Sequence, residues 1–152
     1  MSEIKYVITT EKDMENLMKV RLDMLREVNN LPSSYEFDKA FIDESIRYFE
    51  DGEQTTVLAF DKNEAVGCAT MSYVRVMPTF AHPTGKRAHL MNVYTRPDYR
   101  RQGISAGLVE CLIGEAKERK VTEISLDATE MGRPLYEKLG FTASTEGMVM
   151  KL

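Results

Sequence analysis

The chain has no tryptophan, two cysteines, two histidines and five prolines among its 152 residues. Neither cysteine belongs to a CxxC pair, and with so few histidines beside them no structural zinc site, and no other metal, is expected. Cys68 ("AVGCATM") and Cys111 ("LVECLIG") both sit in apolar runs, where a thiol is expected to pack as a small hydrophobe. No apolar run approaches the roughly 18 residues of a membrane span, and "MSEIKYVITTEKD" is too polar and acidic for a signal peptide. A cytosolic protein without a membrane partner is therefore expected. An excess of positive charge is also missing. The net charge is −4 and the pI about 5.3, which argues against a nucleic-acid partner held by phosphate neutralisation.

What is present is the balance of an ordinary globular domain, 43% hydrophobic and 29% charged residues, with no repeat, low-complexity tract or linker. "IKYVI" (4–8) alternates as a strand, and "TTEKDMENL" supplies a Thr cap and an acidic first helical turn. Leu17, Val20, Leu25 and Val28, with Met14, Met18 and Met24 beside them, recur at helical spacing. A second helix is expected over 37–50, with Phe37, Phe41, Ile42, Ile46 and Phe49 on one face. "TTVLAF", "DKNE" and "AVGCATMSYV" predict an antiparallel hairpin, followed by a long connection, "RVMPTFAHPTGKR", and a strand, "AHLMNVYT". From Gly103 a helix presents Ile104, Leu108, Cys111, Leu112 and Ala116 on one face, which Val109 and Ile113 widen. "VTEISLDA" is a further strand, "GRPLYEKLG" a short helix, and "GFTAS" and "GMVMKL" carry strand character. The strand–helix–strand passage over 88–127 favours a right-handed parallel crossover, so the sheet is expected to be mixed.

The stretch "YRRQGISAGL" (99–108) poses the functional question. A strand end, a Gly turn and a helix start gather unpaired backbone N–H groups at the positive end of a helix dipole, an arrangement that binds phosphate. Arg100 and Arg101 add charge, and Gly103 lets the backbone come close to a ligand. No GK[ST] or GxGxxG pattern follows. A solvated basic turn accounts for these residues equally well when they are taken alone.

Arg100-Arg101-Gln102-Gly103-Ile104-Ser105 resembles the phosphate-binding motif of the GNAT superfamily of acetyl-CoA-dependent N-acetyltransferases: Gln or Arg, two variable residues, Gly, one variable residue, then Gly or Ala. Ser105 stands at the last place and is still small. "NVYTRPDYRRQG", "LYEKLGF" (135–141) and "TTEKDMENLMKVRLDMLREV" are similar to further family passages, in family order over nearly the whole chain. The resemblance implies an α/β (α+β) fold, one domain over residues 1–152. Its mixed, mostly antiparallel central sheet would have six to seven strands flanked by about four helices, with a splayed pair of central strands. It also implies that the backbone of Val93, Tyr94 and Thr95 pairs with the pantetheine amides. Backbone N–H groups around Arg101, Gln102, Gly103, Ile104, Ser105 and Ala106 would hold the pyrophosphate.

Acyl transfer to an amine needs a neutral nucleophile, stabilisation of the developing oxyanion and a proton for the departing thiolate. Tyr136 matches the family's general acid in residue type and motif position. For the base, His89 lies on the strand before the loop, at a place where some members carry Glu or His. Asp127 ends the following strand, where others carry a Glu that relays protons through water. Each also has a plain structural reading: a ring packing on a short helix, a satisfied histidine, a turn-capping aspartate. His89, Met91, Val93 and Thr95 are expected to share one strand face. Arg133 is expected to be a solvated helix-start residue. The expected partners are acetyl-CoA, as acyl donor, and a small amine or peptide amine. A homodimer is compatible with the resemblance. Glu27, Glu36, Asp38 and Asp43 are acids that could receive a cationic acceptor. A non-catalytic acyl-CoA-binding or regulatory module is the alternative, and a cofactor-free interaction domain would require all four matches to be accidental.

Overall fold

Period-two and period-3.6 patterns alternate along the chain, and the computed structural model, which describes residues 3–152, follows them. Met1 and Ser2 of the expected 1–152 domain lie outside the described residues. The strands are β1 (Ile4–Ile8), β2 (Gln54–Asp61), β3 (Glu64–Arg75), β4 (Lys86–Thr95) and β5 (Glu123–Ser125). The helices are α1 (Met14–Val28), α2 (Lys39–Asp51), α3 (Ile104–Glu118) and α4 (Arg133–Lys138). The sheet runs β1-β2-β3-β4-β5; all pairs are antiparallel except β4–β5, which is parallel, with α3 as its crossover. Before α1, the Thr10 hydroxyl accepts the Lys12 N–H, while Asp13 Oδ2 accepts the Thr10 N–H at 2.9 Å, a reciprocal cap over a 3-10 turn.

Alternation in β2 sends Val57 and Ala59 to one side of the sheet and Leu58 to the other. Beneath α3, Ile104, Leu108, Val109, Leu112 and Ala116 close over Val66, Ala69, Met71, Ala88 and Leu90. Across the sheet, Leu17, Val20 and Met24 of α1 cover Leu58, Cys68 and Tyr94. Each fully buried Leu or Val here contributes about 1.5–3 kcal/mol, so the two faces of β2–β4 carry most of the packing energy.

Five expectations change. The sheet has five strands rather than six to seven, because 140–144 and 147–152 form no strand among the described residues. The strand expected over 121–128 is ordered as sheet only at Glu123–Ser125, so Asp127 lies beyond its end. Cys111 is exposed, since Val109 rather than Cys111 completes the buried stripe of α3. Val28, expected in the first helix's apolar row, ends α1 exposed. α2 buries only Ser45, leaving Phe41 exposed and Phe37, Ile42, Ile46 and Phe49 half-buried. No helix among the described residues is long and apolar enough to cross a membrane.

Candidate active site

The site begins where two neighbouring strands part. β4 and β5 pair only at Arg87–Glu123, Ala88–Ile124 and His89–Ser125. Beyond His89, β4 continues to Thr95 with no strand paired on that side among the described residues, so β4 and β5 part and one backbone edge of Leu90–Thr95 has no strand partner. Val93, Tyr94 and Thr95 all lie along it.

A bulge shapes this stretch. Cys68 faces Tyr94 but Thr70 faces Met91, so β4 carries one extra residue, and Asn92 takes a left-handed conformation with φ +59°. The extra residue reverses the alternation. Ala88 and Leu90 face α3 before the bulge, and Val93 does so after it, while Thr95 Oγ1 meets Ser105 Oγ on α3 at 2.7 Å. His89 lies opposite Ser72, whose hydroxyl accepts from Tyr48 of α2. His89 therefore does not share a face with Val93 and Thr95, because a one-residue slip moves every later side chain to the other side.

A chain of hydrogen bonds pins the bulge from the α1 side. The Arg21 Nη1 donates to Asn92 Oδ1 at 2.8 Å, and Asn92 Nδ2 donates to Thr70 Oγ1 at 3.3 Å. Thr70 meets Thr56 at 2.8 Å, and Thr56 donates to Gln54 at 2.7 Å. Cys68 Sγ donates to the Asn92 carbonyl, and burial pushes its thiol up to about 12, so it stays protonated and is no nucleophile. Arg21 has no ion-pair partner among the described residues; it lies over the Phe41 ring at 5.8 Å, and burial lowers its affinity for the proton. Sequence reasoning passed over Arg21 and Asn92. Their signal was an Arg inside an apolar helical pattern and an Asn interrupting an apolar strand.

β4 then feeds the loop. Arg101 takes φ +64° and Gly103 φ +79°, and Gly103 opens α3 without any side-chain cap. Among the described residues, the backbone N–H groups of Arg101, Gln102, Gly103, Ile104, Ser105 and Ala106 donate to nothing in the chain; the first bonded one is Gly107, to the Gly103 carbonyl at 3.0 Å. A Cβ built on Gly103 meets no atom within 4 Å, so the space before these donors is open. Six donors at the positive end of a 15-residue helix form a seat for an anion. The Arg100 side chain is occupied elsewhere: its Nε donates to the Thr95 carbonyl at 2.9 Å and its guanidinium pairs with Glu27. Glu27 is thereby removed from the acids free to meet a cationic acceptor, and Asp43 is paired with Lys39.

Tyr136, on α4, is half-buried against the α3-side core, its ring edge-on to Phe141 at 5.9 Å. Its hydroxyl has no hydrogen-bond partner among the described residues, and burial raises its pKa above the ordinary phenol value. The structure brings His89 and Asp127 together: His89 Nδ1 meets Ser125 Oγ at 2.8 Å, and Nε2 lies 3.7 Å from Asp127 Oδ2. The two candidate bases are thus neighbours, with the His89 side chain 35% and the Asp127 side chain 100% exposed. Arg133 opens α4 exposed to solvent.

The family model for the acetyltransferase (GNAT) family matches residues 22–141, which include the gap, the loop and α4. The chain belongs to the GNAT acetyltransferase family. Its fold agrees: a structure from Clostridium acetobutylicum, described as a predicted acetyltransferase with acetyl-CoA, superposes with a TM-score of 0.81 at 26% identity, covering 98% of this chain and 96% of that one. The aminoglycoside N(6')-acetyltransferase type 1 of Acinetobacter genomosp. 13 is 30% identical over 110 residues, 68% of this chain and 73% of that protein. The alanine N-acetyltransferase acting on ribosomal protein bS18 in Escherichia coli K12 is 39% identical over 61 residues, 38% of this chain and 41% of that one. These two relatives are named for different acceptors, an aminoglycoside and a protein alanine.

Proposed function

We propose that this protein transfers an acetyl group from acetyl-CoA to a primary amine, by direct attack while donor and acceptor are both bound. The observation that carries the reading is the run of six unbonded N–H groups from Arg101 to Ala106, placed directly after the unpaired edge of β4. The residues fit the donor: the loop offers N–H groups and open space to a pyrophosphate, and the backbone at Val93, Tyr94 and Thr95 offers a strand edge to the pantetheine amides. When bound, acetyl-CoA supplies the acetyl group as a thioester.

The chain's own groups then divide the proton work. His89, with Asp127 beside it, takes a proton from the acceptor ammonium on the α2 side of the sheet, directly or through water. As the nitrogen–carbon bond forms and the carbon–sulfur bond breaks, the Tyr136 hydroxyl gives its proton to the sulfur, and the surplus proton on the acylated nitrogen returns to the Tyr136 oxygen through solvent, leaving a neutral amide and a free thiol. No partner among the described residues competes for that proton, and burial keeps the phenol protonated at neutral pH.

Binding tests the seat. At a hundredfold excess over Kd, acetyl-CoA stabilises by about 2.7 kcal/mol, a rise in Tm of roughly 5–10 °C for a chain of this size; AMP alone gives far less. Gly103→Val places a β-branched side chain at φ +79° in front of the donors, so its shift with acetyl-CoA should shrink to near zero. An unchanged melting curve for the parent protein at millimolar acetyl-CoA contradicts the assignment.

Because His89 and Asp127 are neighbours, their substitutions are expected to couple. His89→Gln should lower kcat/KM on the order of a hundredfold, and Asp127→Asn should lower it less. The double variant should be no worse than His89→Gln alone. A kcat/KM equal to the parent's in both single variants excludes the pair as the base.

A further inference from the structure

Arg21 is a half-buried cation that meets no carboxylate among the described residues. One helical turn away in either direction stand Leu17, Met18, Met24 and Leu25, so α1 itself offers it no acid. The other arginines of α1 and α2 are paired, Arg26 with Asp23 and Arg47 with Glu44. Asp23, two residues further along α1, is taken by Arg26 and Arg96, each at 3.0 Å. Arg21 donates from Nη1 to the neutral Asn92 side chain at 2.8 Å, while its Nε is buried and donates to nothing among the described residues. The Phe41 ring, 5.8 Å away, adds only a weak cation–π contact.

Such an arrangement is costly. Burial disfavours the charge and lowers its pKa below the ordinary value, and the orphaned Nε donor adds the cost of its own desolvation. An uncharged donor would serve the bond to Asn92 Oδ1 without that cost, so holding the bulge does not account for the charge. The position says what its missing partner is attached to. Arg21 reaches β4 at Asn92, three residues after His89, whose side chain lies on the same α2 side of the sheet. At about 3.3 Å per residue the two points are roughly 10 Å apart along the strand, and somewhat less across the bulge. Exposed Met91 lies between them, and exposed Phe41 lies beside Arg21.

We infer that Arg21 binds a carboxylate or phosphate group of the acceptor, whose reacting amine lies at its other end, beside His89. The inference rests on the reading of this site as an acetyltransferase and adds the acceptor's class, an amine that also carries an anion. The guanidinium is a planar fork that matches two oxygens of either anion. Acids that would favour a polycation instead are engaged or screened: Glu27 and Asp43 are paired, and Glu36 and Asp38 stand exposed in water before α2.

Matched probes test it: γ-aminobutyrate and ε-aminocaproate against their carboxamides, and phosphoethanolamine against ethanolamine. Binding is read with and without CoA from the ¹⁵N–¹H signal of Arg21 Nε, assigned by its absence in Arg21→Gln. At least one anionic probe should shift that signal saturably while its neutral twin leaves it in place, and the carboxylate and phosphate arms show which anion is preferred. In turnover with acetyl-CoA, kcat/KM for that probe should exceed its twin's by about tenfold or more, the size of one charge-assisted hydrogen bond. Arg21→Gln should bring the ratio near one, and Arg21→Lys, which keeps the charge without the fork, should retain part of it. The ratio decides, because loss of the bond to Asn92 alone slows both twins alike. A signal unmoved by every anionic probe at tens of millimolar overturns the inference, as does one moved equally by the neutral twins. A ratio that Arg21→Gln leaves unchanged overturns it too, and makes Arg21 a brace for the bulge. The donor reading fails separately, by the absence of a melting shift with acetyl-CoA, and the Nε signal measured without CoA does not depend on it.

Discussion

Tyr136→Phe is expected to lower kcat by roughly tenfold to a thousandfold, within the range for loss of a general acid, while leaving the acetyl-CoA melting shift within about a degree of the parent's. The substitution keeps the ring against Phe141 and removes a hydroxyl that no group among the described residues holds, so folding loses almost nothing. The pH dependence carries a sign. Burial disfavours the phenolate and raises the pKa above the ordinary value of about 10. The parent's rate should therefore not fall through loss of this proton until the pH exceeds about 10. Steady-state kinetics with the best acceptor from a panel read by release of free thiol checks both points. Equal kcat for the two proteins shows the hydroxyl to be dispensable, and would leave a binding module or another acid as the account of the fold.

Asn92→Val should do more damage to the fold than any other change in the gap. It forces a β-branched residue into φ +59° and severs the hydrogen bonds to Arg21 and Thr70. Strain of about 1–3 kcal/mol joins the loss of a charge-assisted bond worth about 1.5–3 kcal/mol. The sum, about 3 kcal/mol or more, corresponds to a fall in Tm of roughly 6–12 °C. Asn92→Gly separates the two terms, since it accepts the backbone conformation and loses only the side chain. It should recover about half of the stability. The bulge also aims Val93 and His89 at opposite faces, so Asn92→Val should lower kcat/KM beyond what its folded fraction explains. If the Val and Gly variants melt together, the left-handed conformation carries no strain and the bulge is held by the polar chain alone.

Much of this was legible in the sequence, for physical reasons that differ from part to part. The β2–β3 hairpin and α3 are strongly periodic, so their faces could be read from apolar spacing, except that Cys111 turned outward when Val109 completed the stripe. The loop from Arg101 to Ala106 was legible because main-chain N–H groups need only a Gly turn and a helix start. The bulge was not. Asn92 announces a left-handed residue only once its neighbours in β3 are known, and missing it placed His89 on the wrong face relative to Val93 and Thr95. The pairing of His89 with Asp127 was hidden likewise, because it depends on the parallel register of β4 with a three-residue β5. Strand pattern in "GFTAS" and "GMVMKL" stated what these residues could form, and periodicity carries no information about whether a sheet edge receives them.

The central claim is that the unbonded N–H groups of Arg101 to Ala106 are the seat of the donor's pyrophosphate. Amide hydrogen exchange, resolved by residue with and without saturating acetyl-CoA, measures those groups themselves. Free protein should exchange quickly across 101–106, because none of these N–H groups has an acceptor among the described residues. Acetyl-CoA should slow that block by at least tenfold, together with the unpaired edge of β4 at Val93 to Thr95. AMP should leave both unchanged. Protection that appears elsewhere while 101–106 continues to exchange at the free rate would contradict the account.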